Sequence, residues 1–399
     1  MAAAPFADTF PDRYEPNELT RLVAARRAAG QPVVDLTESN PATLGLSPDP
    51  LRLAPRLSAG ARGYQPEPCG AAAAREAVAA CYRERGLAVA ARQVVLAAST
   101  SEAYGWLFKL LCGAGDRVLV PVPGYPLCAD LAHLERVVAR PYRLSAGASG
   151  WHPDRADVAA GLRAGARAVI AISPHNPTGA YLTAEDARWL SAACADHGAA
   201  LIVDEVFADY PWDGHAGTPA PVGRGPALTF LLGGLSKALA LPQLKCGWIV
   251  VAGPPPLAGA AAAHLEFLGD AYLSVNGMVQ AALPELLARR AEVQRPILAR
   301  VRGNIQALRE AALPGARGPR GSGGGWWWLQ PLRGIDSDDA EFAAALLRER
   351  GTLVHPGYLF DAGQPSVALS LIVPPPVLTE GVAHLAAAME EHTLLNRAY

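Results

Sequence analysis

At 399 residues, 51% of them hydrophobic and 18% charged, the chain can bury a sizeable core and is long enough for two or three average domains or for one large and one small. Its 35 basic and 37 acidic residues are dispersed and nearly cancel, to a net charge of −2, which argues against a nucleic-acid or polyanion partner. No apolar run reaches the roughly 18 residues of a membrane span. Residues 1–16 lack the basic start and apolar core of a signal peptide, and the six cysteines show neither CxxC nor metal-ligand spacing. The expectation is a cytoplasmic protein with reduced thiols, no metal and no membrane contact.

From about residue 90, short apolar runs alternate with amphipathic stretches. QVVLAA (93–98) predicts a strand and TSEAYGWLFKLLCG (100–113) a helix closed by Gly113. RVLVPVP (117–123) predicts a second strand, 126–137 a helix, and ARAVIAIS (166–173) a third strand. The stretch 183–198 reads as a helix with Thr183 as its N-cap. AALIVDEV (199–206), LTFLLGG (228–234) and CGWIVVAG (246–253) complete the strands. Runs that are continuously apolar, rather than alternating, predict strands covered on both faces. The fold class is therefore α/β: a large domain with a mostly parallel sheet between helical layers, plus a smaller α+β domain. A long helical pattern over 283–313 is expected to break near Pro296, and PGARGPRGSGGG (314–325) to form a loop. The division expected is 1–50 as an N-terminal segment of the small domain, 51–290 as the large domain and 291–399 as the rest of the small one.

In sheets of this kind ligands gather beyond the carboxyl ends of the strands, and five polar groups fall there. The hydroxyl cluster in ASTSEAY (98–104) is either a simple helix cap or an anion site. Tyr125, between prolines in PVPGYPLC, is either core or a ring that stacks on a flat ligand. Asn176 sits in SPHNPTG (173–179), a loop fixed by Pro174, Pro177 and Gly179. Asp204 closes an apolar strand, as a cap or as the partner of a protonated heterocycle. Ser236–Lys237 ends another, as a solvated turn or as a reactive amine. Taken together, they describe a pocket for a flat, phosphorylated, nitrogen-heterocyclic aldehyde, of which pyridoxal 5'-phosphate is the obvious candidate.

SPHNPTG, IVDEVF (202–207) and GLSK (234–237), in that order, make the chain resemble the class I/II aminotransferases, pyridoxal-phosphate-dependent enzymes of type I fold. The likeness runs from VVDLTESNP (33–41) to LVHPGYLF (353–360). It implies Lys237 as the Schiff-base lysine and proton carrier, Asp204 as the pyridinium partner, Asn176 as donor to the phenolic oxygen and Tyr125 as the stacking ring. By the same resemblance Thr100, Ser101 and Ser236 meet the phosphate, and Tyr64 reaches the phosphate of a neighbouring subunit in a homodimer. Asn40 lies in a region that closes over substrate in the family.

Three positions depart from that pattern. Phe207 stands where a tyrosine donates to the phenolic oxygen. Lys245 stands where an arginine binds phosphate; a lysine still neutralises charge but lacks the bidentate fork. Ala368, in SVALSLIVPP (366–375), stands where an arginine clamps the substrate carboxylate. Either another cation, with Arg333 and His355 as candidates, replaces it, or the substrate lacks that carboxylate. The tryptophans Trp326, Trp327 and Trp328 are either core or partly at the substrate mouth.

The implied activity is a ping-pong transfer of an amino group between an amino acid or related amine and a 2-oxo acid. A lyase or decarboxylase on the same scaffold is the alternative. A cofactor-binding regulatory domain is disfavoured, because residues 1–90 show no helix-turn-helix pattern or basic patch.

Overall fold

The computed structural model describes residues 9–10, 15–60, 63–147, 150–213, 225–314, 323–335 and 338–397. Most of the loop expected at 314–325 lies outside them. An eight-stranded sheet organises the central part of the chain. It is built from β2 (Val94–Ala97), β3 (Arg117–Val122), β4 (Val138–Gly147), β5 (Gly150–Pro153), β6 (Ala168–Ile172), β7 (Ala200–Asp204), β8 (Thr229–Gly234) and β9 (Gly247–Ala252), following β1 (Val34–Asp35) near the N-terminus. The strand order is β2-β9-β8-β7-β6-β3-β4-β5. Neighbours from β8 through β4 pair in parallel, whereas β9 is antiparallel to both β2 and β8, and β5 to β4.

The continuous apolar runs have the expected cause. All residues of β2, β6, β7, β8 and β9 are buried. Successive side chains go to opposite faces, so Leu201, Val203 and Leu231 join one core while Ile202, Phe230 and Leu232 join the other. Helices such as Thr100–Leu111 and Ala184–Asp196 cover these faces. Ser99 caps the first by accepting from the Glu102 amide at 3.1 Å, and Thr183 caps the second by accepting from the Asp186 amide at 3.0 Å.

A further core forms from β10 (Trp327–Pro331), β11 (Thr352–Leu353), β12 (His355–Pro356) and β13 (Ser366–Ser370), packed with the helices Arg290–Ala311, Asp339–Arg350 and Pro375–Arg397. β13 lies between β10 and β12, antiparallel to both. β1 pairs in parallel with β11, and Leu36 packs in the same core.

The helical pattern over 283–313 does not break at Pro296. One helix, Gly277–Ala288, ends at Arg289, and the next, Arg290–Ala311, runs through the proline. Pro296 forfeits one backbone hydrogen bond. The buried stripe Val293, Ile297, Val301, Ile305 and Leu308 recurs at helical spacing and carries the helix across that gap. Among the described residues, no helix is long and apolar enough to cross a membrane.

Candidate active site

The carboxyl ends of β2, β3, β6, β7 and β8 converge on one cavity. It is lined by Thr100, Tyr125, Asn176, Asp204, Ser236 and Lys237, joined by Ser39, Ile172, Val206, Phe207, Gly234, Cys246 and Trp327. Six residues singled out by sequence are thus brought together from positions up to 137 residues apart (237 − 100).

Each is set by its own element. Thr100 opens the helix Thr100–Leu111, whose first amides have no acceptor within the helix. Gly247 packs against that helix start so closely that a Cβ there would lie 3.0 Å from the Ser99 carbonyl carbon and 3.1 Å from the Thr100 nitrogen. Tyr125 follows β3 and is 41% exposed, so its ring is available to a ligand. Asn176 is buried in the loop after β6, and its Oδ1 has no hydrogen-bond partner among the described residues. Such an atom is costly to bury, and a polar ligand in the cavity would relieve it.

Lys237 sits in the single turn Leu235–Ala238 after β8. Its backbone is anchored from three sides. Tyr210 Oη donates to the Lys237 carbonyl at 2.6 Å, Gln294 Nε2 donates to the Ala238 carbonyl at 3.0 Å, and Ser47 Oγ donates to the Ala240 carbonyl. The ammonium lies 5.1 Å from the Trp326 ring centre and 5.5 Å from that of Phe207. Burial pulls the Lys237 amine below its ordinary range, and the Asp204 charge opposes that pull. A larger neutral fraction makes the amine a better nucleophile toward a carbonyl.

Asp204 is 7% exposed, and burial raises its carboxyl from 3.8 to about 6 against the hydrogen bonds that favour the ion. Oδ1 accepts from the Val206 amide at 3.0 Å, and Oδ2 accepts from Tyr104 Oη at 3.1 Å. The next residue, Glu205, points elsewhere and pairs with Arg85 at 3.3 Å. Burial raises the Glu205 carboxyl, and Arg85 restrains the rise.

Of the other candidates, Phe207 and Trp327 line this cavity and the rest do not. Ser101 follows Thr100 on the same helix, half-buried. Lys245 is exposed, in left-handed backbone with φ 46°. Tyr64 is 79% exposed and borders a separate depression with Trp106 and Leu273. Asn40 and Arg333 are exposed. His355 is half-buried against Trp327, with ring centres 5.5 Å apart, and burial lowers its imidazole below the ordinary range. Ala368 is fully buried between Leu329 and His355 in the β10-β13-β12 sheet. Of the tryptophan triplet, only Trp327 lines the cavity. Sequence reading missed Tyr104, a buried position of an apolar helix face, and Tyr210, because neither touches its partner within a local motif.

Known proteins resemble this chain along most of its length. Residues 31–385 match the family described as aminotransferase class I and II. The arginine–pyruvate transaminase AruH of Pseudomonas aeruginosa is 30% identical over 338 residues, 81% of each chain. A tyrosine aminotransferase of Caenorhabditis elegans is 26% identical over 303 residues, 75% of this chain; the matched region spans 65% of the worm protein's length. The crystal structure of an aminotransferase from Escherichia coli superimposes with a TM-score of 0.84 at 22% identity, covering 98% of this chain and 100% of that one. The chain belongs to the class I and II aminotransferase family. Enzymes of this family and fold are generally dependent on pyridoxal phosphate.

Proposed function

We propose that this protein exchanges an amino group between an amino acid or related amine and a 2-oxo acid, in two half-reactions, with pyridoxal 5'-phosphate held in the cavity around Lys237. The observation that carries this reading is the meeting of a buried lysine, a buried carboxylate and an unpartnered asparagine oxygen in one cavity. Bound there, the cofactor supplies a carbonyl carbon for amine exchange and an electron sink for the charge left on the substrate carbon.

The chain's own residues supply the rest. With the cofactor bound, the Lys237 amine would replace its carbonyl oxygen, releasing water, and, once displaced by the substrate amine, would carry the proton to and from the substrate carbon. Asp204 keeps the ring nitrogen protonated through its charge. Asn176 would donate from Nδ2 to the phenolic oxygen, and Tyr125 would cover the ring. Thr100, Ser101 and Ser236, with the amides at the start of the helix Thr100–Leu111, hold the phosphate, and Lys245 adds charge nearby. Phe207 gives the phenolic oxygen no hydroxyl, which leaves more of that task to Asn176.

The exposed Tyr64 is assigned to the phosphate of a second subunit, so the working unit is a homodimer, in the cytoplasm. The pairing of β1 with β11 supports a small domain made of 1–50 and 291–399 against a large domain of 51–290. Asn40 and Arg333 are assigned to the substrate side of the cavity mouth. Among the described lining residues, Lys237 is the sole cation. The amino donor is therefore recognised largely through its apolar body, against Val206, Phe207 and Trp327.

The test is the visible spectrum of the protein supplied with pyridoxal phosphate, before and after single amino donors without any oxo acid. Conversion of the bound cofactor to its amino form by one of them supports transamination. A band that returns unchanged while the donor is consumed identifies a lyase or decarboxylase instead. A Lys237→Met variant that keeps the wild-type band would sink the assignment of the lysine.

A further inference from the structure

We propose that Tyr104 is a positioning residue for Asp204, fixing the orientation of its carboxylate and favouring its ionised form inside the cavity. This rests on the assignment of pyridoxal phosphate to that cavity.

The geometry is closed on both oxygens. Oδ1 is held by the Val206 amide at 3.0 Å, and Oδ2 by Tyr104 Oη at 3.1 Å, across 100 residues of sequence. With one donor on each oxygen, the carboxylate plane has little freedom to turn. Tyr104 is 3% exposed, so no water competes for its hydroxyl. Burial and the neighbouring Asp204 charge hold its phenol well above the ordinary range, so it remains a donor at every working pH. It rises from the second turn of the helix Thr100–Leu111. That one helix therefore presents Thr100 to the phosphate end of the cavity and steadies the acid at the other.

The titratable groups facing Asp204 are Tyr104, Tyr125, Cys128, Glu205 and Lys237. Burial pushes the Cys128 thiol up to about 12 and the Tyr125 phenol upward as well, so both are neutral where Asp204 titrates. Lys237 favours the carboxylate and Glu205 opposes it. A hydrogen bond to the charged form lowers the pH at which that form appears, and its loss leaves Oδ2 unsatisfied.

The experiment titrates cofactor-free wild type and Tyr104→Phe with pyridoxal phosphate from pH 5.5 to 9, following tryptophan fluorescence and visible absorbance. The expected result is weaker binding by Tyr104→Phe, about three- to tenfold at pH 6.5, with the acid limb of the binding curve displaced upward by about half to one pH unit. The same substitution in an Asp204→Asn background should add little further loss. Tyr104→Met, which also lacks the hydroxyl, should displace the limb in the same direction and serves if Tyr104→Phe folds poorly. Superimposable limbs, or an equal loss at every pH, would overturn the proposal, since a purely packing role predicts one or the other. A wild type that binds no pyridoxal phosphate would instead refute the cofactor assignment on which it rests.

Discussion

Asp204→Asn is expected to stabilise the cofactor-free protein while weakening its hold on pyridoxal phosphate. Burial raises the Asp204 carboxyl from 3.8 to about 6. At 1.36 kcal/mol per tenfold, keeping that group ionised costs the folded state about 3 kcal/mol. Because the value is raised rather than depressed, the penalty is full above pH 6, shrinks as pH falls through 6 and vanishes below 3.8. Removing the charge should therefore raise denaturation stability at pH 8 by up to about 3 kcal/mol, roughly 3 °C in Tm for a chain of this length. By pH 5 the gain should fall to about half. Denaturant melts of both proteins at pH 8 and pH 5, without cofactor, give the comparison directly. With saturating pyridoxal phosphate the order should narrow or reverse, because the wild type gains more from ligand. If Asp204→Asn is no more stable than wild type at pH 8, or if its advantage does not shrink at pH 5, the charge is not the desolvated burden inferred here.

Other expectations follow from single contacts. Arg85→Ala strands the Glu205 carboxylate, 4% exposed, and should cost about 3 kcal/mol or more in denaturant melts at pH 8, and less as the pH falls, since burial already raises that carboxyl. Gly179→Ala places a Cβ 2.1 Å from the Trp212 ring at a φ of +72°, and should cost about 2–4 kcal/mol; an unchanged melt would refute the close packing. Lys237→Met should abolish the visible band of the bound cofactor while leaving noncovalent affinity measurable by fluorescence. Trp327→Ala should raise KM for bulky apolar donors more than for small ones; equal effects on both would remove Trp327 from the substrate wall.

The part of the fold legible in sequence is the part whose signal is local. β6, β7, β8 and β9 are short apolar runs buried on both faces, and each stands out against its flanks. Asn176, Asp204 and Lys237 could be read because each polar group follows such a run. β4 escaped that reading: Pro141 interrupts it, and exposed residues such as Arg140 and Arg143 break any apolar period. The end at Arg289 was hidden for a different reason. Proline at 296 is the stronger local signal, but the tertiary stripe from Val293 to Leu308 outweighs it. Tyr104 is the clearest case of a role with no local trace, since its sequence position is that of an ordinary core residue and its partner lies at the end of a strand 100 residues on.

The three carbonyls held around Lys237 bear on how the enzyme can move. Tyr210 comes from the loop after β7, Gln294 from the helix Arg290–Ala311, and Ser47 from the N-terminal segment. Three separate parts of the chain thus clamp this turn and the residues just after it, and the segment cannot travel without breaking at least one of these bonds. The Lys237 nitrogen works like a crane on a bolted base, its whole travel set by the flexible stem of the side chain. A shift of the long helix or the N-terminal segment would first be felt at that base, as strain on the Ala238 or Ala240 carbonyl, before any side chain in the cavity had moved.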